Sequence, residues 1–162
     1  MPVATYSNRM AILNYTTKVA AEQTIGEIQK LLSRYNVSAM MTEYDGPRVS
    51  AVSFKLIIDG QPMGFKMPCN WRAVREIFND PRHRGKLKCR MDERDDQAIR
   101  TAWRIIKDWV EAQLALVEVN MVTIPQVFLP YAITKDGRTL AEKVLDDPGF
   151  LLDDGGTAIH PE

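Results

Sequence analysis

Basic side chains are concentrated in two neighbouring stretches of the chain, a loop and the helical segment after it. The spacing of the second group, by four and three residues, places its members on one face of a helix. Guanidinium groups donate a planar pair of hydrogen bonds and ammonium groups act as compact charges, so together they suit phosphate oxygens. The sequence therefore predicts a phosphate-binding surface built from Arg82, Arg84, Lys86, Lys88 and Arg90 of the loop, with Arg100, Arg104 and Lys107 of the helix.

Two further residues suit such a surface. Gly85 would let backbone amides approach a ligand, and Trp71 offers a ring on which a base could stack. A purely structural interpretation also fits, with a solvated loop and a helix whose cations pair with their own carboxylates, Arg104 with Asp108 and Lys107 with Glu111. The number of basic residues in a stretch does not show where their side chains lie, so both interpretations stay open.

A metal-dependent nuclease is an alternative hypothesis. The order helix, three strands, helix is the core order of PD-(D/E)xK nucleases, which need an Asp and then an acid two residues before a Lys. Asp45 can supply the first acid, but Ser53 stands two residues before Lys55, where the second acid belongs. Glu43 or Asp59 could supply a carboxylate instead, although Asp59 suits a turn better. The pattern therefore predicts at best a degenerate PD-(D/E)xK-like nuclease.

The chain has few residues for other metal or cofactor chemistry. Cys69, His83 and Cys89 form a trio without a fourth ligand at the usual spacing of a zinc site. Two isolated cysteines fit reduced thiols. There is no glycine-rich phosphate loop, nucleophile elbow or dinucleotide fingerprint. We therefore expect no cofactor, no metal and no catalytic residue.

The periodicity of apolar residues predicts an α+β fold in which an N-terminal helix precedes a three-stranded antiparallel meander, a short helix and one long helix packed on the sheet, with short C-terminal helices. Ala11 to Tyr15 resembles a short strand, and Thr16 or Thr17 suits the N-cap of the first helix, which ends near Asn36. The remaining segments are predicted as strands at 37–44, 49–58 and 61–67 and as helices at 71–79, from 92–96 to about 120, at 122–132 and at 139–145.

The long helix has two apolar stripes. The first contains Trp103 and Val110, and the second contains Trp109, Leu116 and Val119. One stripe is enough to cover a sheet, so the second indicates burial under the C-terminal helices or in a homo-oligomer formed through the long helix. The aromatic segment 128–131 (FLPY) should pack on Trp109 or Leu116.

Length and composition are those of one globular domain of 162 residues. We expect a disordered leader at 1–10, a domain at 11–145 and a flexible acidic tail at 146–162. Met10 offers a second plausible start. The first ten residues lack the apolar core of a signal peptide and no apolar run spans a membrane, so the expected location is cytoplasmic. Net charge is zero, but residues 64–107 carry +6 and residues 108–162 carry −7.

Several short segments resemble a group of small proteins found in tailed-phage and prophage genomes. They are Asn14–Lys18 (NYTTK), Glu43–Asp45 (EYD), Trp103–Gln113 (WRIIKDWVEAQ) and Phe128–Tyr131 (FLPY). The resemblance covers about Met10 to Leu140. No activity is established for that group, so it contributes no functional residue. It implies a context, in which small proteins handle nucleic acid, block host defences or accompany replication, inside an infected bacterium.

These observations lead to one expected function and two alternatives. The first is a non-enzymatic phage accessory protein that binds nucleic acid or a nucleotide through the basic loop and helix face. One alternative is an anti-defence protein that binds a host protein or sequesters a nucleotide signal, and the other is the degenerate nuclease.

Overall fold

The computed structural model describes residues 11–83 and 87–150, apart from the side chain of Phe150. Its elements follow the predicted order, and the α+β fold class is confirmed. The helices are α1 (Ala21–Leu32), α2 (Trp71–Asn79), α3 (Arg94–Glu118), α4 (Ile124–Phe128) and α5 (Leu140–Asp146), and the strands are β1 (Val37–Asp45), β2 (Arg48–Ile58) and β3 (Gln61–Pro68). The predicted leader and the last twelve residues of the predicted tail lie outside the described residues. No helix in the described ranges combines the length and the apolar character needed to cross a membrane.

The three strands form an antiparallel meander in the order β1-β2-β3. Asp59 and Gly60 both have positive φ, 49° and 76°, and close the β2–β3 hairpin as their types predict. The predicted inner face of β2 is buried at Val52, Phe54 and Leu56. Alternation along the strand therefore turns one face of the sheet toward the helices.

The inner face of the sheet and helices α1 to α4 share one hydrophobic core. Trp103 and Val110 of α3 are fully buried, as the first stripe predicts. Phe128 is also fully buried, and its ring lies 5.3 Å from that of Phe54 and 5.5 Å from that of Trp109, centroid to centroid. The predicted packing of the aromatic segment on Trp109 is confirmed.

The second stripe of α3 divides into two parts. Trp109 is half-buried because Phe128 and Tyr131 pack against it. Leu116 is 37% exposed and Val119 is 63% exposed. The C-terminal segment therefore covers the first part of this stripe and leaves its end open.

The segment before α1 differs from its prediction. Residues 13–16 form turns rather than a strand, and α1 begins only after Ala20, which caps it without a side-chain hydrogen bond. Asn14 adopts φ of 60°, which ends any extended run, and its carbonyl accepts from Thr101 of α3 at 3.3 Å. The predicted strand and Thr caps were wrong because this segment bonds to α3 and not to the sheet.

Candidate phosphate-binding cavity

The N-terminal segment 11–18 lies across the first half of α3, where side chains of the helix bind its backbone. Gln97, only 7% exposed, donates through its amide nitrogen to the carbonyls of Tyr15 at 2.8 Å and Thr17 at 2.9 Å. Asn14 in turn donates to Asp108 at 2.7 Å. Buried carbonyls need donors, so Gln97 fixes the path of the chain at this point.

The loop after α2 contacts the same segment from another side. His83 Nε2 accepts a hydrogen bond from the backbone N–H of Ile12 at 3.2 Å. The His83 ring also lies 5.5 Å from that of Tyr15, edge to face, and 5.7 Å from that of Phe78. His83 in the basic loop and residues 12–15 are thereby brought together, although they are about seventy residues apart in sequence.

A cavity of about 420 Å³ opens between residues 15–18 and residues 87–89. This volume lies in the range of small-molecule sites, roughly 300–1,000 Å³. No acidic residue lines it, and in the part of the chain that the structure describes neither Lys18 nor Lys88 has a carboxylate within 4.0 Å. The lining consists of Tyr15, Thr16, Lys18, Leu87, Lys88, Cys89 and Gln97.

The chemistry of this lining suits an anion. Lys18 and Lys88 are exposed, so each ammonium can reach a ligand from its own side of the cavity. Thr16 adds a hydroxyl group, and Tyr15 adds a ring with a hydroxyl group. Two ammonium charges without a neighbouring carboxylate attract phosphate, and an aromatic ring beside them can contact a base.

Two cations predicted to bind phosphate are engaged by carboxylates of the loop itself. Arg82 forms an ion pair with Asp80 at 2.6 Å, and Arg90 forms one with Asp92 at 2.9 Å. Hydrogen bonds from Arg82 lower the pKa of Asp80 to about 2, and those same contacts raise the pKa of Arg82. Both arginines are exposed, yet each already has an anionic partner.

The cations of α3 are divided between different neighbours. Arg100 Nη2 donates to Gln97 Oε1 at 2.5 Å, so it lies next to the cavity. Arg104 forms an ion pair with Glu27 of α1 at 2.6 Å. Lys107 pairs with Glu111, as the structural interpretation predicts, and its side chain is only 13% exposed.

The other predicted site residues lie elsewhere. Trp71 is 7% exposed, and the guanidinium groups of Arg48 and Arg72 lie 5.0 and 4.7 Å from its ring centroid. Arg84 and Lys86 fall outside the described residues. Of the predicted set, the structure places only Lys88, among the described residues, in the cavity lining. Arg100 is hydrogen-bonded to Gln97 but does not belong to that lining, and neither do Arg82, Arg90, Arg104, Lys107 and Trp71.

Four residues of the cavity lining were not predicted from the sequence: Tyr15, Thr16, Lys18 and Gln97. A signal for the first three lies in the segment NYTTK, which carries part of the sequence resemblance. Gln97 gave a weaker signal, as a polar residue directly before Ala98 and Ile99, both of which are buried. Only the fold brings these residues to Lys88.

A second cavity, of about 290 Å³, lies at the start of α1. Arg48 and Arg100 line it, together with the acidic residues Glu22 and Asp96. Arg48 Nη2 already donates to Asp96 at 3.4 Å. Because two carboxylates balance the two guanidinium groups, this cavity suits an anion less well than the lysine-lined cavity.

Carboxylates and thiols do not converge on a metal site within residues 11–83 and 87–150. Asp45 forms an ion pair with Arg72 at 3.0 Å, and Glu43 forms one with Lys66 at 2.7 Å. Asp59 occupies the hairpin turn. Cys69 is buried, and desolvation raises the pKa of its thiol to about 12.

Comparison with known proteins gives no relative from which a function could be transferred: no family model, curated protein or solved structure matches the chain.

Proposed function

We propose that this chain is a phage accessory protein that binds a nucleotide or nucleic acid through its phosphates, without catalysis. The observation that carries the proposal is the cavity that both Lys18 and Lys88 line, where no acidic residue of the described ranges belongs to the wall. The phage context rests on the sequence resemblance alone.

The size of the cavity bears on the kind of ligand. A volume of about 420 Å³ suits one nucleotide unit better than a long duplex. A free nucleotide would enter whole, whereas single-stranded nucleic acid would insert one base and leave neighbouring phosphates to the loop. The alternative role, sequestration of a nucleotide signal in a host defence, uses the same cavity and the same contacts.

A charge-neutralising double substitution, K18Q/K88Q, tests the proposal. We expect it to weaken binding of ATP and of a labelled single-stranded oligonucleotide, measured by calorimetry and fluorescence anisotropy. For the oligonucleotide, the slope of log affinity against log salt should become shallower by roughly 0.7 for each lost phosphate contact. Lys30→Gln with Lys55→Gln is the matched control, because both lysines are exposed and neither lines the cavity.

The control must keep wild-type affinity for the proposal to stand. Equal weakening by both double variants would show that only net charge matters, and unchanged affinity in K18Q/K88Q would contradict the site. Tighter binding of ATP than of the oligonucleotide supports the nucleotide-sequestering role. Binding of the oligonucleotide alone supports a nucleic-acid role.

The two cysteines give a direct probe of occupancy. Cys89 is half-buried in the cavity lining, whereas Cys69 is buried with a raised thiol pKa and should react slowly. Saturating ATP or oligonucleotide should therefore slow alkylation of Cys89 and leave the slow Cys69 reaction unchanged. An unaltered Cys89 rate at saturation would place the ligand elsewhere on the protein.

A further inference from the structure

The two edge strands of the sheet, β3 and β1, differ in how they are protected against pairing with another strand. β3 contains Pro62, Pro68 and Lys66, and Ile133 N–H donates to the Gly64 carbonyl on its outer side at 2.8 Å. Prolines, lysines and covering segments are the devices that prevent edge-to-edge pairing. The β3 edge is thus protected in sequence and in structure.

The β1 edge has no proline, no lysine and no covering segment within the described ranges. Its sequence, VSAMMTEYD, contains no Pro, Lys or Arg, and its first six residues are uncharged. No backbone group of another element hydrogen-bonds to the outer side of β1 within the described ranges. Its regular run, Ala39 to Glu43, lies between the two irregularities in the β1–β2 register.

The register identifies which backbone groups point outward. Cys69 N–H donates to the Ser50 carbonyl at 2.8 Å, so even-numbered residues of β2 bond to β3. Odd-numbered residues of β2 then bond to β1, through the pairs Ser53–Met41 and Ala51–Glu43. The N–H and C=O groups of Met40 and Thr42 must therefore point away from the sheet, where they can accept another strand.

The β1 edge also has an exposed apolar side chain. Met41, on the face of the sheet away from α1, is 57% exposed. A strand added to β1 would satisfy the outward groups of Met40 and Thr42 and would cover part of Met41. An added strand is the one partner that matches a row of unpaired N–H and C=O groups.

We propose that β1 pairs antiparallel with β1 of a second copy, joining two three-stranded sheets into one continuous sheet. With the two-fold axis at Met41, Met40 faces Thr42 of the second copy and the two Met41 side chains meet. Glu43 then faces Ala39 of the second copy, so that no two carboxylates oppose each other directly. The strand is thus complementary to itself in hydrogen bonding and charge.

The experiment compares Met41→Lys with Ile57→Lys by sedimentation velocity across a concentration series. Both side chains are more than half exposed on β1 and β2, but only Met41 lies at the edge. We expect a wild-type dimer that persists in I57K. M41K should be monomeric, because two ammonium groups would meet at the axis. Circular dichroism checks that each variant is folded.

Amide hydrogen exchange of the wild type tests the β1–β1 pairing even if M41K does not fold. In the dimer the amides of Met40 and Thr42 should be protected, and dilution to the monomer should release them. A wild type that is monomeric at every concentration with fast exchange at both amides overturns the proposal. A dimer whose Met40 and Thr42 amides exchange fast, or one that M41K and I57K dissociate equally, overturns it as well.

Discussion

The Asp80–Arg82 contact shows how a cation that looks available in the sequence can be engaged at close range. Asp80 accepts hydrogen bonds from the backbone N–H of Arg82 and from its guanidinium group, at distances of 2.6 to 3.1 Å. These bonds favour the carboxylate, so the pKa of Asp80 falls to about 2. The stabilisation is fully present above the ordinary value of 3.8 and is lost as pH falls through about 2. The Arg82 side chain is 68% exposed and the Asp80 side chain 31%, so water screens the pair and keeps its contribution to folding small.

Substitution of Arg82 by Gln should raise the pKa of Asp80 toward 3.8, because the guanidinium donors are removed while the backbone donor remains. Carboxyl chemical shifts followed by NMR between about pH 1 and pH 6, a range that contains both pKa values, measure this directly. Arg90→Gln is the control, since Arg90 pairs with Asp92 instead. If the Asp80 titration is the same in R82Q as in the wild type, the contact is absent in solution.

Local spacing predicted some site contacts and missed others for a physical reason. The Lys107–Glu111 pair needs only a helix, so the sequence was sufficient to predict it. Arg104 pairs with Glu27, 77 residues away, while the expected partner Asp108 accepts from Asn14. Lys18 likewise reaches the cavity only because Gln97 holds a segment 80 to 82 residues earlier in the chain. Such contacts depend on tertiary packing, which spacing does not encode.

At the scale of elements, α1 begins without a side-chain cap. Ala20 has the extended conformation of an N-cap, φ −60° and ψ 145°, but offers no oxygen to the free amides of the first turn. By contrast α4 and α5 are capped by Thr123 and Thr139, whose hydroxyl groups accept from the backbone N–H of Gln126 and Glu142. The start of the chain's first helix is therefore a site where stability can be added.

Replacing Ala20 by Ser should stabilise the protein by about 1 kcal/mol, since a Ser hydroxyl can accept from an amide of the first turn. The same change at Ala115, exposed inside α3, is the control and should destabilise slightly, by roughly 0.5 kcal/mol. Urea unfolding measures both free energies. A loss of stability in A20S would mean that the cavity beside Ala20 does not accept the added oxygen in a capping geometry.

The elements themselves were largely predictable, because apolar periodicity and turn residues are local signals. α2 occupies its predicted range, and Asn36 ends the first helical segment with φ of 56°. The segment before α1 was not predictable in this way, since its Thr residues suit a cap equally well in isolation. The exposed end of the second α3 stripe also could not be predicted, because the C-terminal segment packs only as far as Trp109.

Charge separation is the main feature at the scale of the whole molecule. Lys88 of the lysine-lined cavity comes from the basic residues 64–107 and Lys18 from the N-terminal segment, while the last third of the chain is acidic. Some of those acids are neutralised nearby, since Asp136 forms ion pairs with both Arg138 and Lys143. A hydrogen bond from the Thr134 hydroxyl, followed by one from the Arg138 backbone N–H, holds the pKa of Asp136 well below its ordinary value. Residues 151–162 carry three further acidic residues. The long-range field of such charges is screened by salt.

Deleting residues 151–162 removes three acidic residues and no Lys or Arg, and so raises the formal net charge from 0 to +3. We expect the truncated protein to bind a single-stranded oligonucleotide severalfold more tightly at an ionic strength of about 0.01 M, where the Debye length is about 30 Å. Near 0.15 M, where it is about 8 Å, the gain should shrink. Full-length D153N/D154N is the control, since it removes charge without shortening the chain, and it should show most of the gain. An equal gain at both salt concentrations, with none in D153N/D154N, would mean that the segment blocks the ligand sterically and that its charge plays no part.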